Sequence, residues 1–293
     1  MDEQYIKEFS DNMKRYKNYA RIPEKSKIYK NDLKFSENFD FETTEFESDT
    51  VKNLYNFHKN KPKIEIRIID SEMENYEYLD LSKLDLNDKL LSKLLTVDKI
   101  KYILSKIKYL DLSTNNLTKY PDLSKYTNII YLSISKNQIE ENINDNNLIE
   151  LTCDFNKISR INSHSITKLS ANNNELVEIT IPNIKVLHIN NNKVKIMGDY
   201  FYLEYLECIN NEIKNIQNLF KLQEIYIGSN KLEKISNLPN LLILNCVDNP
   251  IKKIIYFENV KLILSSTPNI SSKYKIENIT KIKNDYLINM QKN

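Results

Sequence analysis

The chain has 293 residues, 41% of them hydrophobic, and carries 42 Lys and Arg against 40 Asp and Glu, a formal net charge of +2. Two glycines are too few for a phosphate-cradling loop, and no run approaches the roughly 18 apolar residues of a membrane-spanning helix. The charged start Met1-Asp2-Glu3-Gln4-Tyr5 lacks the apolar core of a secretory signal, so an intracellular, cytoplasmic protein is expected.

Residues 1–75 are blocked by charge. Residues 14–34 hold eight Lys or Arg against two acids, whereas residues 35–50 hold six acids and no base, with Phe35, Phe39, Phe41 and Phe46 among them. Ile6, Phe9, Met13 and Tyr16 fall on one face of a helical pattern, and Ile64, Ile66 and Ile68 alternate as in a strand. The segment is expected to be an extension, partly disordered or contributing to a cap. Its basic-aromatic block suits an anionic surface or nucleic acid, and its acidic-aromatic block suits a protein.

From residue 76 onward an apolar frame recurs. It reads apolar-x-x-apolar-x-apolar-x-x-Asn-x-apolar, as in Ile107, Leu110, Leu112, Asn115 and Leu117, or Leu222, Ile225, Ile227, Asn230 and Leu232. The asparagines are Asn115, Asn137, Asn156, Asn174, Asn192, Asn211, Asn230 and Asn249, spaced by 22, 19, 18, 18, 19, 19 and 19 residues. A fixed period near twenty predicts a coiled solenoid. The apolar fourth and sixth positions alternate with outward residues, so each frame predicts a short strand with one buried face. The asparagine stands where the chain leaves that strand, and its amide has the donors and acceptor to satisfy turn backbone groups. A structural ladder of amides is therefore expected. Beyond each asparagine the apolar residues fall every third position, as in Leu232, Ile235, Leu238 and Leu241. An arc this short has no room for a long helix and predicts extended, turn or 3₁₀ backbone.

The first and last coils depart from the frame. Tyr76, Leu79, Leu81 and Leu86 begin one, but Leu84 occupies the asparagine slot, and Leu90 to Leu95 followed by Ile100, Ile103, Leu104 and Ile107 has helical spacing. Val260 and Ile263 start a frame that never reaches an asparagine, and Ile276, Ile279, Tyr286, Leu287 and Met290 outline an amphipathic helix. Terminal coils of a solenoid need covers with a polar outer side.

These frames resemble the leucine-rich repeats, and the coil from Asn115 to Asn137 is similar to their 22-residue class, with Leu117, Tyr120, Leu123, Tyr126 and Ile129 in the triad rhythm. Later coils have lost one triad. The resemblance implies an α/β-type solenoid: a leucine-rich repeat arc with a parallel concave sheet, a mostly non-helical convex side and helical caps at both ends. The divisions expected are an extension at 1–75, the repeats at 76–270 and a C-terminal helical cap at 271–293.

Little points to chemistry. His58, His164 and His188 are scattered, and Cys153, Cys208 and Cys246 all take the inward sixth position, as core thiols of a reducing compartment do. No catalytic residue, metal site or cofactor is expected. Ala occurs twice, Trp is absent and Tyr numbers 19, with Ile, Asn and Lys abundant. That bias predicts an AT-rich genome and, if the genome is viral, residence in the host cytoplasm.

The third, fifth and seventh frame positions face outward from the sheet. They place Tyr109, Tyr131, Glu150, His188, Tyr205, Glu207, Glu224 and Tyr226 on one surface, with Asp111 and Asp154 beside them. Five acids against Lys168 would repel a phosphate backbone, and exposed tyrosines favour protein interfaces. The expected function is a monomeric, non-enzymatic scaffold whose concave sheet binds a partner protein, with nucleic acid disfavoured. The alternative is a tether to nucleic acid or an anionic surface through residues 14–34 and the basic C-terminal end.

Overall fold

The computed structural model describes residues 68–266 except 72–74, 196, 198, 236–237, 255–258 and 261. The tail at 1–67 and the helix expected at 271–293 lie outside the described residues.

Eleven short strands stack into one sheet. Ile68–Ser71 pairs antiparallel with Asn75–Asp80, so the described sheet begins at Ile68, inside the stretch expected as an extension. Every later pairing is parallel and in frame register, Leu79 against Leu110, Leu110 against Leu132, and so on to Leu244 against Ile263. The alternation of the frame explains this. Fourth- and sixth-position residues point into the coil and are almost fully buried, as Leu110, Leu112, Ile225 and Ile227 are, and they join the triad residues Leu232, Ile235, Leu238 and Leu241 in one continuous core. Each coil thus buries its apolar edge only against its neighbours, the condition that makes a solenoid.

The long first return arc holds two helices, α1 (Asp88–Leu94) and α2 (Asp98–Leu104), where the sequence shows helical spacing. Asn87 caps α1, its Oδ1 accepting from the Leu90 N–H at 2.9 Å. Asp88 reaches across to the second coil and accepts from the Thr118 backbone N–H at 3.0 Å and the Thr118 hydroxyl. The later arcs are extended. Ile143–Asn144, Arg160–Asn162 and Glu178–Thr180 form a small parallel sheet on the convex side, and Lys234–Ile235 pairs with Lys253–Ile254.

Each frame asparagine is buried and multiply bonded. Asn192 Nδ2 donates to the carbonyls of Ala171 in the preceding coil (2.9 Å) and of Ile189 in its own (3.0 Å), while its Oδ1 accepts from the Leu176 N–H at 2.9 Å. Asn137 repeats this with Leu112, Ile134 and Leu117, and Asn249 with Ile227, Cys246 and Leu232. Leu84 cannot do so, and the first rung is Asn115, whose Oδ1 takes both the Leu84 and Leu86 N–H groups.

The residue before each asparagine is left-handed. Thr114, Lys136, Phe155, Asn173, Asn191, Asn210, Ser229 and Asp248 all have φ between 53° and 57°. None is glycine. This conformation costs an L-residue roughly 1–2 kcal/mol, and it turns the asparagine inward as the chain leaves the strand. A second, sparser set of asparagines precedes the frames: Asn147 donates to the Ile129 carbonyl at 2.6 Å, Asn183 to His164 at 2.7 Å and Asn240 to Phe220 at 2.6 Å.

Two stability outcomes are expected. Asn192→Ala leaves the buried Leu176 N–H without its acceptor and takes one of two amide donors from each of the Ala171 and Ile189 carbonyls, and lowers the unfolding free energy by roughly 1–3 kcal/mol in urea titrations. Thr114→Gly relieves a β-branched residue of positive φ and raises it by about 1 kcal/mol, after the extra chain entropy of glycine is counted.

Candidate functional site

The parallel register brings outward residues of successive coils into columns. Val186 stands beside Tyr205, Tyr205 beside Glu224, and Glu224 beside Ile243, while His188, Glu207, Tyr226 and Asn245 form the next column. Val186, Tyr205, Tyr226 and Ile243 pack as one apolar cluster, with Ile209 and Leu242 against it. The Tyr205 and Tyr226 rings lie 5.7 Å apart, and His188 tilts against Tyr205 at 5.0 Å. Acids line the cluster. Glu207 Oε2 lies 2.9 Å from His188 Nδ1 and accepts from the Tyr205 hydroxyl at 3.4 Å, and Glu224 Oε2 accepts from the Tyr226 hydroxyl at 3.3 Å.

The sheet's outward side therefore brings the expected residues together, but not at the exposure expected. Tyr109, Tyr205 and Tyr226 are only 7%, 2% and 0% exposed, and His188 and Glu224 are equally closed at 4%. The tyrosines read from the sequence as an exposed set are mostly buried, because their rings stack on one another and on the neighbouring columns. Tyr131, Glu150 and Glu207 remain half-buried. The concave side thus has two halves. In the first, Tyr78, Tyr109 and Tyr131 stack with centroid spacings of 4.6 and 6.5 Å, and Lys168 pairs with Glu150. A shallow pocket of ≈ 10 Å³, space for one water, lies between Glu150, Lys168, Ser170 and His188.

A polar row runs along the seventh positions. The Asp154 N–H donates to the Ser135 hydroxyl, the Asn172 N–H to Asp154 Oδ1, the Asn190 N–H to Asn172 Oδ1 and the Ile209 N–H to Asn190 Oδ1, at 2.6–3.0 Å. Burial pushes the Asp154 and Asp111 carboxyls above the usual range, against hydrogen bonds from Ser170 and Asn172 to the first and from Ser113 to the second. Glu207 goes the other way. Burial raises it, but the His188 ring, Asn190 and Tyr205 outweigh that and hold it below the ordinary glutamate value of 4.5. Among the described residues no group of three His, Cys, Asp or Glu side chains is placed to hold a metal ion. Cys153, Cys208 and Cys246 are free and buried, and burial pushes the Cys246 thiol up to about 12.

No protein-family model matches the sequence, and no curated protein matches it. Solved structures do. The leucine-rich repeat domain of APL1B is 17% identical over 62% of this chain and 62% of its own, with a TM-score of 0.50. The fold is that of the leucine-rich repeat proteins. Also similar are internalin C2 from Listeria monocytogenes, 20% identical over 65% of this chain and 81% of its own at a TM-score of 0.45, and the leucine-rich repeat domain of LRIM1, 20% identical over 68% and 73% at 0.47.

The sequence reading missed an aromatic cluster on the return arcs of this solenoid, where Phe201 stacks on Phe220 at 6.4 Å and Lys221 Nζ lies 4.9 Å over the Tyr202 ring. All three aromatics are 40–50% exposed. Phe201 and Phe220 share one position, nine residues beyond Asn192 and Asn211, but the other coils hold Ser124, Asn146, Ser165, Asn183 and Pro239 there, so the apolar frame does not pick them out.

The Glu207 shift has a pH consequence. A carboxyl held lower in the folded state than in the unfolded chain contributes stability that is present above the unfolded value and is lost as pH falls through the folded one. Below pH 4.5 the wild-type urea midpoint is expected to fall more steeply than that of Glu207→Gln. The raised Asp111 and Asp154 act in the opposite sense and are unchanged in that comparison.

Proposed function

We propose that the chain is a non-enzymatic protein-interaction scaffold that takes a partner protein on its concave sheet. The observation that carries this is the outward surface itself. Tyr131, Glu150 and Asp111 stand half-open on strands, and Asp154 just beyond one, where the asparagine ladder fixes the backbone. Rigid aromatic and acidic side chains there give contact area at low rotamer cost and steer a basic partner. The same acids disfavour a phosphate backbone. On this reading the protein works as a monomer inside the cell, Tyr109 belongs to the same half as Tyr131, and His188, Tyr205, Glu207, Glu224 and Tyr226 extend the surface into the more closed half.

Capture from the native cell with mass spectrometry identifies the partner. Tyr131→Ala with Glu150→Ala is then expected to weaken binding by about 2–4 kcal/mol, the hot-spot range, in a calorimetric titration. Lys157→Ser and Lys193→Ser are expected to do little, because both lysines sit in exposed pairs with Glu140 and Glu175. Binding that survives the Tyr131 and Glu150 changes but falls steeply and logarithmically with salt would instead assign the work to residues 14–34 and an anionic partner.

A further inference from the structure

Among the described residues, His188 Nε2 is a buried side-chain nitrogen without a hydrogen-bond partner, on a residue only 4% exposed. Its surroundings explain why. His188 stands between Ser170 of the preceding strand and Glu207 of the following one. Glu207 Oε2 lies 2.9 Å from Nδ1. A carboxylate only accepts, so Nδ1 carries the hydrogen and Nε2 of the neutral ring is a bare acceptor. The two nitrogens of an imidazole point away from each other, which turns Nε2 from Glu207 toward the preceding strands. The Ser170 hydroxyl and the Lys168 ammonium on that side are engaged elsewhere. The first gives its proton to Asp154 Oδ1 at 2.8 Å, and the second is held by Glu150. Buried polar atoms are almost always paired, and one that is not calls for a ligand, an ion or a water.

We infer that the pocket between Glu150, Lys168, Ser170, Val186 and His188 is a subsite for the ammonium head of a lysine on the partner protein. The lining selects that group in three ways. His188 Nε2 needs a donor. Glu150 on the pocket wall, Asp154 behind Ser170 and Glu207 behind His188 set three carboxyls against the one cation of Lys168, so a charged donor is favoured over a neutral one. Burial pushes the Asp154 carboxyl above its usual range, and a cation nearby offsets that cost. The volume of ≈ 10 Å³ holds one water-sized group. An ammonium is that compact, whereas the planar guanidinium of arginine is not. Val186 on the wall packs against the methylene stem of the incoming lysine. This rests on the concave-sheet reading and deepens it by naming the partner group that the sheet takes. The probes below are small molecules, so their failure removes the lysine subsite and leaves the scaffold reading to the partner titration.

The test is nuclear magnetic resonance of the full chain with 15N-labelled histidine. The chain has three histidines, and the His188 signal is identified by its loss in His188→Gln. Nα-acetyl-lysine N-methylamide and its arginine counterpart are titrated in turn at constant pH and ionic strength. The lysine compound is expected to shift the His188 Nε2 resonance saturably, and to bind several-fold more tightly than the arginine compound. Glu150→Gln, at a half-buried position outside the core, is expected to weaken that binding several-fold with an unchanged circular dichroism spectrum. Lys168→Met, which frees Glu150, is expected to tighten it. The inference is overturned if Nε2 does not respond to the lysine compound, in which case it holds a resident water only. It is equally overturned if both compounds shift it alike, if Glu150→Gln binds as tightly as the wild type, or if Lys168→Met fails to tighten binding. Binding seen in Lys168→Met alone would make Lys168 the occupant and overturn it too.

Discussion

Everything in this solenoid depends on one buried hydrogen-bonding unit, the side-chain amide of the frame asparagine. A three-residue strand followed by a sharp turn leaves carbonyls and N–H groups inside an apolar coil where water does not reach, and each would cost on the order of 1–3 kcal/mol unpaired. A primary amide has donors on one side and an acceptor on the other. Set at the ninth position, it takes up carbonyls of its own coil and the preceding one, and it returns an acceptor to the preceding coil's turn. A serine or threonine hydroxyl has a single donor, so among uncharged side chains only glutamine also offers two donors with a carbonyl acceptor, and it is one methylene too long for the same rung.

The ladder is held in place at a steric cost. Eight non-glycine residues sit at positive φ immediately before it, in a chain with only two glycines. The types are Thr, Lys, Phe, Asn, Ser and Asp, so the conformation is imposed by the turn and not selected by the residue. Three of the eight are asparagine and one is aspartate, the types that tolerate this region best. Packing on both sides of each coil over-determines the backbone there, as it does wherever local strain persists.

This pattern also explains what was legible in the sequence. The strand positions, the core and the ladder follow from residues that recur at fixed offsets, and those offsets are dictated by geometry. The left-handed positions were not legible, because no single residue type marks them. Neither were the capping set Asn147, Asn183 and Asn240, since isolated asparagines carry no signal in an asparagine-rich chain. The outward columns were correctly placed by alternation, yet the closure of Tyr205 and Tyr226 was not foreseen. Period two says which side of a sheet a residue faces and nothing about how tightly the neighbouring columns pack against it there.

The ladder also has a direction. Every rung reaches backward: Asn137 to Leu112 and Leu117, Asn192 to Ala171 and Leu176, Asn249 to Ile227 and Leu232. An asparagine thus fastens its coil to the one synthesised before it and asks nothing of the one that follows. On the ribosome, each emerging coil meets a finished template whose open carbonyl and N–H await it, so assembly can advance in the order of translation. Pulled or heated, the same asymmetry lets the last coil peel away without breaking the rung beneath it, and the molecule would unravel from its C-terminal end like a zip with a single slider.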